Sequence, residues 1–301
     1  MRKYSNIAMV ASFFGLWLDS YLSDSKQIYL GFFLIFTFGI LHGANDLMLI
    51  KTIKNDKQKK SWLKVLSYYI VVVLCGIVLF YLIPQFALLL FILVSAYHFG
   101  EQEWQQTLLQ YGKWFTFAFQ IIYGLLILSL LFIFHKEQVQ EIIINICQLK
   151  VPTTYFDLLF GIVLALFLSL CSVVYLQNKN QIQNILQECF YILLYAIIFK
   201  SSSLIWGFAI YFVIWHSIPS IMDQIRFLDG TYTTANFINY CKNAALYWFV
   251  SIIGIVVIYY YFSEQEQLFN ALFFSFLAAI TFPHAAVIST MFHHSAVVPK
   301  K

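Results

Sequence analysis

The chain has 301 residues, of which 61% are hydrophobic, 20% aromatic and only 11% charged, and it carries a formal net charge of +4. So little charge excludes a water-soluble globular surface, and the composition is that of a polytopic membrane protein. The positive charge calls for no nucleic acid, because most of it comes from one lysine-rich loop that membrane orientation explains better.

The start, MRKYSNIAMVASFFGLWLDS, has the basic end and short apolar stretch of a signal peptide. It lacks a small-x-small cleavage site before Asp19, so it reads as a first helix. At about 20 apolar residues per span, helices are predicted near residues 5 to 18, 28 to 50, 62 to 83, 85 to 100, 114 to 134, 155 to 177, 185 to 199, 204 to 222, 243 to 262 and 268 to 292. Ten is the count. Eight or nine are allowed, because the first, fourth and seventh are short and only Pro84 separates the third from the fourth. The fold expected is all-α, a polytopic transmembrane bundle of about 8 to 10 helices. Apolar segments run the whole length and no long polar block could form a second soluble domain, so residues 1–301 read as one integral membrane domain. Cys75, Cys147, Cys171, Cys189 and Cys241 are odd in number, scattered and never in a CxxC pair. Neither a disulfide framework nor a thiolate metal site is indicated.

The loop KTIKNDKQKK after the second helix, extended by Lys64, carries six lysines, and positive loops stay in the cytoplasm. With both termini inside, fourteen of the 18 Lys and Arg residues fall on the cytoplasmic side. Lys26, Lys136, Lys150 and Lys200 remain outside. The expected location is the cell (inner) membrane.

Four histidines lie inside the apolar runs: His42 in FGILHGANDL, His98 in LVSAYHFGEQ, His216 in FVIWHSIPSI and His284 in AITFPHAAVI. An imidazole facing lipid has no water to bond, so an ionisable residue at membrane depth faces the protein interior and marks a ligand, metal or proton site. In this layout the four fall on the second, fourth, eighth and tenth helices, which all run from outside to inside. At 1.5 Å per residue, His42 is roughly 13 Å before Lys51 and His216 roughly 15 Å before Arg226. The two thus share a depth in the cytoplasmic half. His98 near its helix end and the deeper His284 are compatible with one tilted layer, hence one shared site.

The neighbours refine this picture. His42 and Asp46 are four apart, on one face of a continuous helix, where the carboxylate could orient the imidazole behind a metal or simply face water beside the lysine loop. Gly39 and Gly43 around His42 would let another helix approach. Glu101 and Gln102 follow His98 on its own face, although Glu101 and Glu103 also fit ordinary interfacial charges. Pro219 and Pro283 should kink their helices beside His216 and His284. His293, His294 and His135 read as interfacial.

Sets of neutral imidazoles suit iron, copper, zinc or nickel, and an all-nitrogen site with vacant positions can hold Fe(II) and bind O2. A metal or proton transporter is the alternative, using the same histidines near the bilayer midplane. Against it stand the absence of an internal repeat and the few polar residues in the outer halves of these helices. A di-iron desaturase would need HxxxH and HxxHH clusters, which do not occur.

The segments FGILHGANDLMLI, SAYHFGEQEW, WHSIPSIMDQ and TFPHAAV, in this order, resemble the Brp/Blh family of β-carotene 15,15′-dioxygenases, from about residue 30 to about residue 292. The resemblance implies Fe(II)-dependent cleavage of the central double bond of β-carotene by O2. The product would be two all-trans-retinal, passed on to a rhodopsin without a necessary stable complex. It implies metal-binding roles for His42, His98 and His216, and places Asp46 and Trp215 among residues that shape the site. Many members carry a pattern like WHxxRH, whereas Pro219 and Ser220 stand here. Either the site has three histidines or His284 supplies the fourth nitrogen, and His284 is preferred. A substrate drawn from lipid spares the polyene a passage through water that would cost about 0.8 kcal/mol per exposed methylene. The 32 Phe, 20 Tyr and 7 Trp could line its tunnel without locating one.

Overall fold

The structure, a computed structural model, describes residues 2–53, 59–262 and 264–297. Residues 54–58 of the lysine loop, with Lys54 and Lys57, and the C-terminal Lys300 and Lys301 lie outside the described residues. Every regular element among the described residues is helical, and a helix satisfies its backbone groups within its own segment, as long apolar runs in hydrocarbon require when they form no closed barrel. Among the described residues, eight helices are long and apolar enough to cross a membrane. A further stretch, Leu66–Leu82, is shorter.

In chain order, α1 is Arg2–Asp19 and α2 is Asp24–Leu34, which continues through a π-helical stretch, Ile35–Gly39, into α3, Ile40–Gly43. After a turn come α4 (Asp46–Ile53), α5 (Lys59–Leu82), α6 (Pro84–Trp104) and α7 (Lys113–Phe134). Then follow α8 (Lys136–Cys147), α9 (Thr154–Gln177), α10 (Ile182–Ser201) and α11 (Leu204–Ile210). A second π-helical stretch, Tyr211–Ser217, leads into α12 (Ile218–Asp229), and α13 (Thr234–Phe262) and α14 (Glu266–Val297) complete the chain. The short α8 was not expected. It sets Val139 and Ile146, both buried, against Lys136, Glu137 and Gln140, and at 12 residues it escapes a search for membrane-length spans.

The chain forms two compact units. The first comprises Met1–Ile35, Ala96–Glu141 and Lys150–His216. Its centre is α7, which packs on α9 and α10 and buries Phe119, Tyr123, Leu126 and Ile127. Trp104, Phe119, Tyr123 and Phe167 form an aromatic cluster with centroid separations from 4.5 to 6.4 Å. Within it α6 crosses α7 backbone to backbone. A Cβ on Gly100 would lie 1.9 Å from the carbonyl oxygen of Gln120, and one on Gly124 would lie 1.9 Å from that of Ala96. Only glycine fits at either position. Buried Gln120 donates to Gln105 at 2.8 Å beside the crossing, satisfying amides that hydrocarbon could not solvate.

The second unit comprises Phe36–Ser95, Ile142–Leu149 and Ser217–Lys301. Here α14 packs on α5, α4 and α13. Small residues bring α5 and α14 close, with Gly76 facing buried Ala279. Leu49, Val287, Ile288, Met291 and Phe292 form one core cluster. The outer face of α13 exposes Leu246, Phe249, Val250, Ile253, Val256 and Tyr260. Each such side chain left in water forgoes about 1.5–3 kcal/mol, so this face is built for a hydrocarbon environment.

Candidate metal centre

In the first unit His98 and His216 are each 2% exposed, and their rings meet edge to face with centroids 4.7 Å apart and planes at 82°. His98 lies between Ala96 and Gly100, so the close crossing of α6 and α7 fixes its height. His216 lies near the end of the π-helical stretch Tyr211–Ser217, a backbone widening frequent at functional sites. Phe212 stacks on its ring at 5.4 Å and Phe99 meets it at 4.7 Å, leaving the imidazole walled by apolar faces. Gln102 donates through Nε2 to the backbone oxygen of His216 at 3.0 Å, tying α6 to the irregular segment.

In the second unit His42, 5% exposed, and His284, 3% exposed, form a matching pair with centroids 4.6 Å apart and planes at 88°. His42 follows the π-helical stretch Ile35–Gly39, whose carbonyls at Phe36 and Thr37 accept from the Trp248 indole at 3.2 and 3.1 Å. Gln224 Nε2 donates to the His42 carbonyl at 2.7 Å, and the Tyr240 hydroxyl lies 3.2 Å from the same oxygen. A Cβ on Gly43 would lie 3.5 Å from His284 Nδ1, an ordinary van der Waals contact that does not itself require glycine. Each of His42, His98 and His216 is buried and offers one ring nitrogen with which a metal ion could be held.

Several expectations are corrected. Asp46 is buried, and its carboxylate accepts from His284 Nδ1 at 2.8 Å, although the i, i+4 spacing pointed to His42. The helix is interrupted at Ala44 and Asn45, so the angular relation that a continuous helix would impose between His42 and Asp46 is lost. Glu101, which fitted an interfacial charge, is completely buried and accepts from the Tyr97 hydroxyl at 2.6 Å. Its position at the polar end of an apolar run concealed this. The irregularity beside His216 begins at Tyr211, before Pro219, which falls in the first turn of α12, while Pro283 is accommodated inside the continuous α14. Trp215 turns to Tyr191 and Tyr195 and donates to Ser12 Oγ at 2.9 Å, so it packs α1 and α10 together. His135 is half-buried, with Nε2 donating to the Phe199 carbonyl at 2.8 Å, and His293 and His294 are exposed.

Ser220 is buried and accepts from Gln224 Nε2 at 3.1 Å, so its hydroxyl belongs to the network that holds the His42 carbonyl. Gln224, Tyr240 and Tyr69 were missed in the sequence. Amide and phenol side chains near helix ends resemble interfacial residues, and only tertiary contacts reveal them as supports.

Imidazole donors such as His42, His98 and His216 suit a first-row transition metal, and the Asp46 carboxylate stands behind the ring of His284. The family model described as beta-carotene 15,15'-dioxygenase matches residues 33–292, a span that contains all four histidines. No curated protein and no solved structure matches the chain.

Proposed function

The chain belongs to the beta-carotene 15,15'-dioxygenase family, and on that premise we propose that it cleaves the central 15,15′ double bond of β-carotene with O2 to give two all-trans-retinal. The observation that carries this reading is the burial of His42, His98, His216 and His284, as two edge-on pairs, within the matched span. In this reading the four hold a single Fe(II), and the whole chain acts as one integral domain. The engagement of the Ser220 hydroxyl with Gln224 supports His284 as the fourth nitrogen.

Bound Fe(II) supplies the one-electron chemistry that lets O2 react with an alkene. The protein orients and shields. Phe99 and Phe212 around His216 keep water from the imidazoles. Gln102 and Gln224 fix the backbone carbonyls of His216 and His42, so the rings are held before substrate arrives. One alkene and one O2 become two aldehydes with no net proton gained or lost, so the reaction places no demand on a general acid or base. The apolar substrate enters from the bilayer and retinal leaves toward a rhodopsin without a stable complex. The multi-pass chain resides in the inner membrane with both termini cytoplasmic, as the lysine distribution favours.

Expression in a β-carotene-accumulating cell tests this. The cells should lose colour and their extracts should contain retinal. Undiminished β-carotene with no retinal, despite confirmed membrane expression, would reject the activity, and cleavage at another bond would reject the product. A C-terminal reporter active only in the periplasm would reject the orientation.

A further inference from the structure

Asp46 is 2% exposed and both of its carboxylate oxygens are engaged. Oδ1 lies 2.8 Å from His284 Nδ1, and Oδ2 accepts from the Tyr69 hydroxyl at 3.1 Å. The three residues come from α4, α5 and α14 of one compact unit, and none is near another in sequence. A carboxylate accepts and does not donate. With the phenol donating to one oxygen, the ring nitrogen at the other supplies a hydrogen as well. A neutral imidazole that carries its hydrogen on Nδ1 has its lone pair on Nε2.

We propose that Asp46 and Tyr69 are positioning residues that fix His284 in the Nδ1–H tautomer and so determine Nε2 as the atom it offers to a metal. This deepens the reading of His284 as a metal ligand and rests on it. A carboxylate behind a ligating histidine fixes ring orientation and raises ligand basicity, and its loss typically weakens metal binding 10- to 100-fold. Tyr69 acts one step further out, holding the carboxylate in place through the oxygen that His284 does not use. The arrangement also accounts for the break at Ala44 and Asn45, since a helix continued without interruption from His42 would carry Asp46 around with the His42 face.

Two measurements on the purified full chain separate this inference from the reading beneath it. In the metal-free protein labelled with 15N-histidine, the His284 ring, assigned by its loss in His284→Ala, should give the Nδ1–H pattern, and Asp46→Ala should abolish that preference. In Co(II) titrations followed by the visible absorption of the ion, Asp46→Ala should bind about 10- to 100-fold more weakly than wild type, with Asp46→Asn and Tyr69→Phe intermediate. In a His284→Ala background the same substitutions should leave the residual Co(II) affinity unchanged. An Nε2–H ring in the wild type overturns the proposal, as does wild-type affinity in Asp46→Ala. A loss that persists undiminished without His284 overturns it too, because Asp46 would then act through the fold alone. A wild type that binds no Co(II) overturns the metal-site reading, and the ring spectrum then decides the tautomer by itself.

Discussion

Gln224 donates through Nε2 to the backbone oxygen of His42 at 2.7 Å, and the same nitrogen reaches Ser220 Oγ at 3.1 Å. The amide oxygen accepts from Tyr240 at 2.9 Å, so one buried glutamine joins α12, α13 and the segment that carries His42. Gln102 does the corresponding work in the other unit, on the carbonyl of His216.

Gln224→Leu should therefore cost about 1–3 kcal/mol, the price of leaving buried polar groups with fewer partners. The melting temperature in detergent should fall by several degrees, and metal content should fall with it. An unchanged melting temperature and full metal content would show that Tyr240 alone holds the His42 carbonyl.

Gly100→Ala and Gly124→Ala place a methyl 1.9 Å from a backbone oxygen, so α6 and α7 must part. Overpacking of this kind costs typically about 1–3 kcal/mol and more where backbone has to move. Both variants should fold poorly or lose metal, because His98 rides on the displaced segment. Gly161→Ala in α9, with nothing within 4 Å of the added carbon, is the control and should be neutral or stabilising by up to about 1 kcal/mol. Equal melting temperatures across the three would contradict the close crossing.

Replacing His42, His98, His216 or His284 with Ala should lower bound iron and abolish retinal formation together, since each change removes an imidazole nitrogen that would hold Fe(II). Ser220→Ala should keep both. Iron content and retinal yield at matched expression check this, and full iron in His284→Ala alongside lost iron in Ser220→Ala would assign the fourth position to Ser220.

His135 lies between the apolar stretches of α7 and the start of α8, where burial pushes its pKa below the ordinary 6.5 and the bond to the Phe199 carbonyl only partly offsets this. The unfolded chain thus binds the proton more readily than the folded one. Its contribution to stability is complete above 6.5 and declines as the pH falls below that value. Solvent screening keeps the effect small, because the ring is only half-buried. Between pH 7.5 and 5.5 the wild type should lose more melting temperature than His135→Gln. Parallel curves would remove His135 as the cause.

The chain itself determined the helical class, because its continuous apolar runs of about 20 residues suit helices and lack the alternation of barrel strands, and it exposed His42, His98, His216 and His284, because imidazoles stand out against hydrocarbon. It also showed that Ser220 departs from the WHxxRH pattern. Which histidines pair was decided by tertiary packing, since His42 meets His284 across 242 positions of chain, a relation that no helical periodicity encodes. The partner of Asp46 was decided the same way, by the interruption at Ala44 and Asn45 and by the approach of α14. Glu101 and Gln224 were illegible for a related reason. A polar side chain near a helix end reads as interfacial in sequence, and only the neighbouring helices determine whether it meets water or a buried partner.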